Sequence, residues 1–285
     1  MTITIHKLTD HFAAEIFGVD LASPFDEATF GQIRDAFYKY SVLVFHDQDL
    51  DDTRHIAFSE RFGPLEPTMK NDPSGGGGPI VNISNIDEKG EIIPPEDKRM
   101  VYNSGNMLWH SDSSFKRVPA RASLLYAREV PPEGGETEYA SMRAAYAALP
   151  DGKKAMLEGL VAEHSLAYSR SLIAPDLLSQ AFKDEVPPVR QILVRTIPET
   201  EEKTLFIGSH ASHIIGWPVE KGRVLLKELL EWTTQPQFVY QHKWRPKDLV
   251  MWDNRCCLHR GRPWDGRKYR RVMRRTTIAG DGPTV

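Results

Sequence analysis

ASLLYAREVPPEGGETEYA, running from Ala122 to Ala140, reads as two short strands, Ala122 to Ala127 and Thr137 to Ala140, parted by prolines and glycines. The same texture recurs downstream at Gln191 to Thr196, Thr204 to Ile207, Phe238 to Gln241, Asp248 to Trp252 and Arg271 to Ile278. β-Branched and aromatic residues dominate these runs, as they do on pleated, half-buried surfaces. Helical periodicity interrupts them at Ala144 to Leu149, Lys153 to Glu163 and Val219 to Trp232, with Pro150 and Pro218 as punctuation. Many short strands without alternating βα units predict a mainly β fold, a sandwich or jelly roll decorated by helices, and not a doubly wound parallel sheet.

Upstream, Thr2 to His6 alternates like a strand, and Asp26 to Tyr40 carries Phe30, Ile33, Phe37 and Tyr40 at helical spacing. Ser41 to Phe45 predicts a buried strand, and a second helix is expected from Asp52 to Phe62, capped by Asp51 or Asp52. Between Pro64 and Met107 the text changes to GGGGP at Gly75 to Pro79, an apolar strand at Ile80 to Ile83, and a charged, proline-bearing stretch. A loop-rich segment of that length inside a domain is either a linker or a mobile cover over a site, expected around residues 65–107.

With 285 residues, 40% of them hydrophobic and 26% charged, the chain has enough material for a core without disulfides or a structural metal. Lys and Arg number 36 against 39 Asp and Glu, a net charge of -3, so a nucleic-acid partner is not expected. No run of 18 apolar residues occurs, and the opening MTITIHKLTDHFAAEIFGVD lacks a basic segment followed by an apolar one, so no membrane partner is expected. The two cysteines, Cys256 and Cys257, are adjacent and ill placed to bridge each other, which suits a reducing, cytoplasmic setting. A homo-oligomer stays open.

The sharpest local feature is Trp109-His110-Ser111-Asp112. In an extended segment residues two apart share a face, so His110 and Asp112 can offer an imidazole nitrogen and a carboxylate oxygen to one ion. The pattern is common by chance and needs a third ligand, for which His164, His210, His213, His242 and His259 are candidates, the last in LVMWDNRCCLHRGRPW. Two histidines and a carboxylate leave coordination positions open, as in non-haem Fe(II) oxygenases, whereas structural zinc is usually closed by four ligands. At the C-terminus, period-2 alternation in RRVMRRTTI sets Arg271, Met273, Arg275 and Thr277 on one face, and two arginine forks there suit two carboxylates. A solvated basic edge strand is the plainer account of the same residues. A cysteine nucleophile has no supporting constellation. Trp109, Trp252 and Trp264 are expected in the core, His46 and His164 as hydrogen-bonded structural residues, and His6, His11 and His55 at the surface.

Taken together, GVDL (Gly18 to Leu21), LWHSDSSF, VPPEGGETEY, MRAAYAALP, LEGLVAEH, FIGSHASH, LVMWDNRCCLHRGR and RRTT resemble the TauD/TfdA family of Fe(II)- and 2-oxoglutarate-dependent dioxygenases, over nearly the whole chain. The resemblance implies a single domain, 1–285, with a double-stranded β-helix (jelly roll, cupin-like) core and flanking helices. It places the metal triad on His110, Asp112 and His259. For the distal carboxylate of 2-oxoglutarate it implies Thr137 and Arg271, with Asn106 close to metal and co-substrate. Arg275 and His210, with His213 as a weaker neighbour, would hold the acidic group of the primary substrate, and Val81 or Ile83 would touch an aromatic ring. From His259 to Arg271 the spacing is a residue longer than the family leads one to expect, which alone would choose Arg270. The R-x-x-x-R and RRTT register favours Arg271. The implied reaction uses O2 and 2-oxoglutarate to hydroxylate the carbon beside the ether oxygen of a small carboxylic acid, an aryloxyalkanoic acid such as 2,4-dichlorophenoxyacetate. Its products are a phenol with glyoxylate or the corresponding 2-oxo acid, plus succinate and CO2. The alternatives are a taurine, alkyl sulfonate or sulfate ester dioxygenase of the same family, and a non-catalytic zinc-binding jelly roll.

Overall fold

The computed structural model describes residues 2–72 and 77–285. Its strands are β1 (Thr4–Lys7), β2 (Ala14–Phe17), β3 (Val42–Phe45), β4 (Ile80–Ser84), β5 (Ala122–Glu129), β6 (Thr137–Ser141), β7 (Val161–His164), β8 (Val189–Ile192), β9 (Val194–Thr196), β10 (Lys203–Leu205), β11 (Ala211–Ile214), β12 (Val239–His242), β13 (Leu249–Asp253), β14 (Cys257–Gly261) and β15 (Val272–Ile278). The helices are α1 (Glu27–Tyr40), α2 (Asp52–Glu60), α3 (Lys98–Asn103), α4 (Met142–Ala147), α5 (Asp151–Leu157), α6 (Leu166–Ser171), α7 (Gln180–Glu185) and α8 (Val219–Thr233).

Seven strands form the main sheet in the order β1-β2-β3-β13-β5-β15-β4, antiparallel except where β2 meets β3. A three-stranded sheet, β12-β6-β14, shares one apolar core with it: Val42, Val44, Leu125, Val250, Trp252 and Met273 of the large sheet pack with Tyr139 and Cys257 of the small one. Alternation sends the intervening side chains, Leu43, Phe45, Leu124 and Met251, to the other face, where Ile33 and Phe37 of α1 and Phe58 of α2 cover them. All four residues of β3 are therefore buried, which is why Val42 to Phe45 reads as an unbroken apolar run. Asp26 caps α1 by accepting from the Thr29 backbone N–H at 2.7 Å, an arrangement worth about 1 kcal/mol. The chain is thus mainly β and jelly-roll-like with flanking helices, and its sheets do not close into a barrel. Among the described residues no helix is long and apolar enough to cross a membrane.

Several expectations are corrected. Lys153 to Glu163 is not one helix: α5 ends at Leu157, Gly159 turns the chain at φ 73°, and β7 begins at Val161. The strand expected from Gln191 to Thr196 is two, β8 and β9, divided at Leu193, and in the C-terminal strand Arg271 precedes β15, which carries a register shift between Val272 and Met273. His55 is buried, not at the surface, with its Nε2 3.2 Å from Thr276 Oγ1 under α2. Trp109 and Trp252 are core as expected, but Trp264 is half-buried. The segment between Pro64 and Met107 contains β4, α3 and a 3-10 turn at Ser104–Met107. Of the Gly75 to Gly78 run expected to serve a cover, Gly75 and Gly76 lie outside the described residues.

Candidate active site

His110 and His259 are joined at the backbone. The His110 N–H donates to the His259 carbonyl at 3.0 Å and the His259 N–H to that of His110 at 2.9 Å, an isolated antiparallel bridge that sets the two rings side by side with centroids 4.1 Å apart. Asp112, two residues beyond His110, turns to the same side. One ligand atom from each of the three lies within 4.8 Å of the others, and all three residues are buried. His110 Nε2 is 3.8 Å from Asp112 Oδ1, and His259 Nε2 is 3.7 Å from Oδ2.

Neighbouring groups fix these orientations. The Leu108 carbonyl lies 2.7 Å from His110 Nδ1, which places the proton there and leaves the Nε2 lone pair facing Asp112. Asp112 Oδ2 accepts from Ser123 Oγ at 2.7 Å, and Ser123 accepts from Asn254 Nδ2 at 2.8 Å. Asn254 Oδ1 in turn accepts from the Asp112 backbone N–H at 3.1 Å and from Trp252 Nε1 at 2.9 Å. Burial would raise the Asp112 carboxyl, but the Arg275 charge, with His259 and His110, outweighs it and holds the group below the ordinary carboxylate range. Burial pushes both imidazoles down, His259 further than His110. Neutral imidazoles and an ionised carboxylate are the states that bind a divalent ion. The donor set fits Fe(II) of the two-histidine, one-carboxylate kind, and neither cysteine joins it, whereas structural zinc sites usually include cysteine.

Beside the triad, Thr137, Arg271, Asn106 and Ile83 line a narrow cavity of about 50 Å³ with His110 and His259. Arg271 is 6% exposed, its Nε donates to the Gly135 carbonyl at 3.3 Å, and its guanidinium lies 5.3 Å from the Trp264 ring centroid. It forms no ion pair with a carboxylate among the described residues, and burial pulls its pKa down to about 10. Thr137 Oγ1 accepts from Trp244 Nε1 at 2.9 Å, which leaves its own O–H to donate elsewhere. Arg270 points out to Glu129 at 2.9 Å, so Arg271 is the arginine that enters.

On the other side of His110, a second cavity collects Val81, Ile83, Asn106, Asp112, His210 and Arg275. Arg275 Nη1 donates to Asp112 Oδ1 at 2.6 Å, so this guanidinium is engaged with the triad itself. His210 is buried, its Nδ1 lacks a partner, and its ring stands edge-on to Phe115 at 4.9 Å. Burial, then the nearby Arg170 charge, sets its pKa well below the ordinary value. His213 is half-buried outside this cavity, with Nδ1 2.9 Å from Ser212 Oγ. His46 and His164 are hydrogen-bonded as expected, the first to Asp248 and Glu15, the second to Ser114 Oγ. Sequence reading missed Ser123, Asn254, Trp244 and Arg170. Asn254 stands within the quoted WDNR motif, so proximity to His259 was a usable signal, whereas nothing in LAYSRS separates Arg170 from a surface arginine.

The chain matches the model of the family "Taurine catabolism dioxygenase TauD, TfdA family" over residues 4–277. It is 44% identical, over 98% of both chains, to an alpha-ketoglutarate-dependent 2,4-dichlorophenoxyacetate dioxygenase of Cupriavidus pinatubonensis. An (S)-phenoxypropionate/alpha-ketoglutarate-dioxygenase of Sphingobium herbicidovorans is 39% identical, over 97% of this chain and 95% of the relative. Among solved structures, AAD-2 in complex with Mn(II) and N-oxalylglycine superposes with a TM-score of 0.92 and 46% identity, covering 100% of this chain and 99% of the other.

Proposed function

The chain belongs to the TauD/TfdA family and is a 2-oxoglutarate-dependent dioxygenase, and from that premise we propose that it hydroxylates aryloxyalkanoic acids at the carbon beside the ether oxygen. The non-catalytic zinc reading has no place in that family. His110, Asp112 and His259 would hold Fe(II), and Arg271 with Thr137 would hold the distal carboxylate of 2-oxoglutarate, Asn106 standing beside both. When bound, iron supplies the oxidising chemistry that couples the conversion of 2-oxoglutarate and O2 to succinate and CO2 with substrate hydroxylation.

The observation that carries the reading is Arg271, a buried guanidinium with no carboxylate partner in a cavity that also reaches two triad histidines. An anion bound there would restore its charge balance through a two-pronged contact. The Thr137 hydroxyl, already accepting from Trp244, is oriented to donate to the same anion. Leu108 and Ser123 keep the triad in one geometry, so that the substrate carbon held nearest it is the one that reacts. Arg275 and His210 border the substrate side with charge and a hydrogen-bonding ring, while Val81 and Ile83 give the aromatic group apolar contacts. Hydroxylation beside the ether oxygen yields a hemiacetal that collapses to a phenol and glyoxylate. Residues 65–107, which supply Val81, Ile83, Tyr102 and Asn106 to the cavity wall, would close over the substrate. The family-model match over 4–277 supports a single domain, and the unbridged adjacent cysteines support a cytoplasmic setting. The balanced charge gives neither nucleic acid nor a membrane surface a reason to bind, and self-association is left to measurement.

The test is anaerobic loading with Fe(II) and 2-oxoglutarate, followed by oxygen, with succinate and phenol measured for 2,4-dichlorophenoxyacetate, taurine and no substrate. Succinate matched by phenol is expected with the aryloxy acid. Succinate driven by taurine without phenol would move the substrate to sulfonates or sulfate esters.

A further inference from the structure

We propose that Gln191, locked by Thr284, is a positioning residue for the primary substrate: it fixes the turn after Asp112 that carries Phe115 into the substrate cavity. The inference rests on the aryloxyalkanoate reading and deepens it, naming the contacts that hold the wall against which the aryl group lies.

Asp112 is followed by a tight turn. Ser113 adopts φ 55°, a left-handed conformation uncommon outside glycine, and the Lys116 N–H donates to the Ser113 carbonyl at 2.9 Å. The turn sets Ser113, Phe115 and Lys116 in the wall of the cavity that also contains His110, Asp112 and His210. There the Phe115 ring meets the His210 ring edge-on at 4.9 Å. Such a turn keeps its shape only while its buried carbonyls have donors.

Gln191 supplies them. It lies in β8 and is fully buried, and its Nε2 donates to the Ser114 carbonyl at 2.9 Å and to the Lys116 carbonyl at 2.8 Å. These two carbonyls flank Phe115. An amide nitrogen carries two hydrogens, and both are spent on the turn. The amide is oriented from its other end. Thr284 Oγ1 accepts from the Ile192 backbone N–H at 3.0 Å and donates its single hydrogen to Gln191 Oε1 at 2.5 Å. With the hydroxyl so used, the amide has one orientation, oxygen toward Thr284 and nitrogen toward the turn. The same small sheet holds His210: β7 pairs with both β8 and β11, and the Ser165 N–H just after β7 donates to the His210 carbonyl at 2.8 Å. One sheet therefore places both members of the Phe115 and His210 pair. None of the residues lining the narrow cavity at Arg271 belongs to this turn, so the contacts act on the substrate side and bypass the 2-oxoglutarate side.

The test uses Thr284→Val, which removes the hydroxyl and keeps the branched shape, with Thr284→Ser as the conservative variant. Three quantities are measured on the Fe(II)-loaded enzyme: hydrogen exchange over residues 113–116 in the anaerobic 2-oxoglutarate complex, KM for each of the two substrates, and phenol formed per succinate from 2,4-dichlorophenoxyacetate. In Thr284→Val exchange in the turn should quicken about tenfold. KM for the aryloxy acid should rise about tenfold with KM for 2-oxoglutarate unchanged, and phenol per succinate should fall below about one half as the ring slips from its place. Thr284→Ser should restore all three, and Gln191→Leu should move them further in the same direction. Thr284→Val that leaves the turn and the phenol yield as in the wild type, or that raises both KM values alike, overturns the proposal. Failure of Thr284→Ser to restore them does so as well. A wild type that forms no phenol from 2,4-dichlorophenoxyacetate overturns the aryloxyalkanoate reading instead, and the exchange comparison then decides by itself whether Thr284 and Gln191 hold the turn.

Discussion

Two arginines, Arg255 and Arg271, are equally well hidden, at 2% and 6% exposure, and differ in every other respect. Arg255 follows β13 and is paired twice: Nη2 with Asp253 at 2.8 Å and Nη1 with Glu199 at 2.9 Å. Burial alone would lower its pKa, and Asp253 reverses that. Arg271, just before β15, faces a ring and a carbonyl, and Tyr139 only partly offsets the burial. The contrast teaches that a buried charge is architectural when the chain itself completes it and a binding group when the chain does not.

The sharpest way to separate site from scaffold is His259→Ala. Succinate formation should fall about 10³-fold or more, because a triad ligand is lost, while the urea midpoint moves little in the absence of metal. On the scaffold side, Arg255→Gln leaves Asp253 and Glu199 facing no cation, and unfolding free energy should drop by about 3 to 5 kcal/mol with KM for 2-oxoglutarate unchanged. Acid should weaken the scaffold through His55, whose burial lowers its pKa to about 4 in the folded protein. Between pH 6.5 and about 4 the unfolded chain takes up a proton there that the folded chain refuses, so stability is full above that window and falls as pH drops through it, by up to about 3 kcal/mol. Denaturation curves at pH 7 and 4.5 should show a smaller loss for His55→Gln. Equal losses would assign the acid lability to other groups, His164 among them.

The smallest effect is the most pointed. Arg271→Gln should raise KM for 2-oxoglutarate about 100-fold and cost under about 1 kcal/mol of stability, since the charge removed has no protein partner to strand. If it destabilises as much as Arg255→Gln, the comparison between the two arginines fails.

Much of this was legible locally. α1 follows from an Asp cap and an apolar stripe, β3 from an unbroken apolar run, and the shared side of His110 and Asp112 from the two-residue period of extended chain. β7 was not, because the residues around LEGLVAEH also satisfy a helical period until Gly159 interrupts it. His55 was misplaced because a polar residue on a short helix is ordinarily exposed, and only Thr276, 221 positions away, gives it a reason to be inside. The C-terminal arginines were singled out by resemblance, whose R-x-x-x-R register already favoured Arg271 over Arg270, and the structure sends Arg271 to Gly135 and Arg270 to Glu129.

By itself the sequence determined the mainly β class from short-range periodicity, and its contiguous motifs carried the resemblance that implied the family, the co-substrate and the grouping of His110, Asp112 and His259. Only the tertiary structure decided that Asn254 and Ser123 hold Asp112 and that Arg275 reaches the same carboxylate. The physical reason is that burial and charge pairing are relations between residues scores of positions apart. A chain's local geometry specifies which way a side chain points, and packing alone specifies what it meets there.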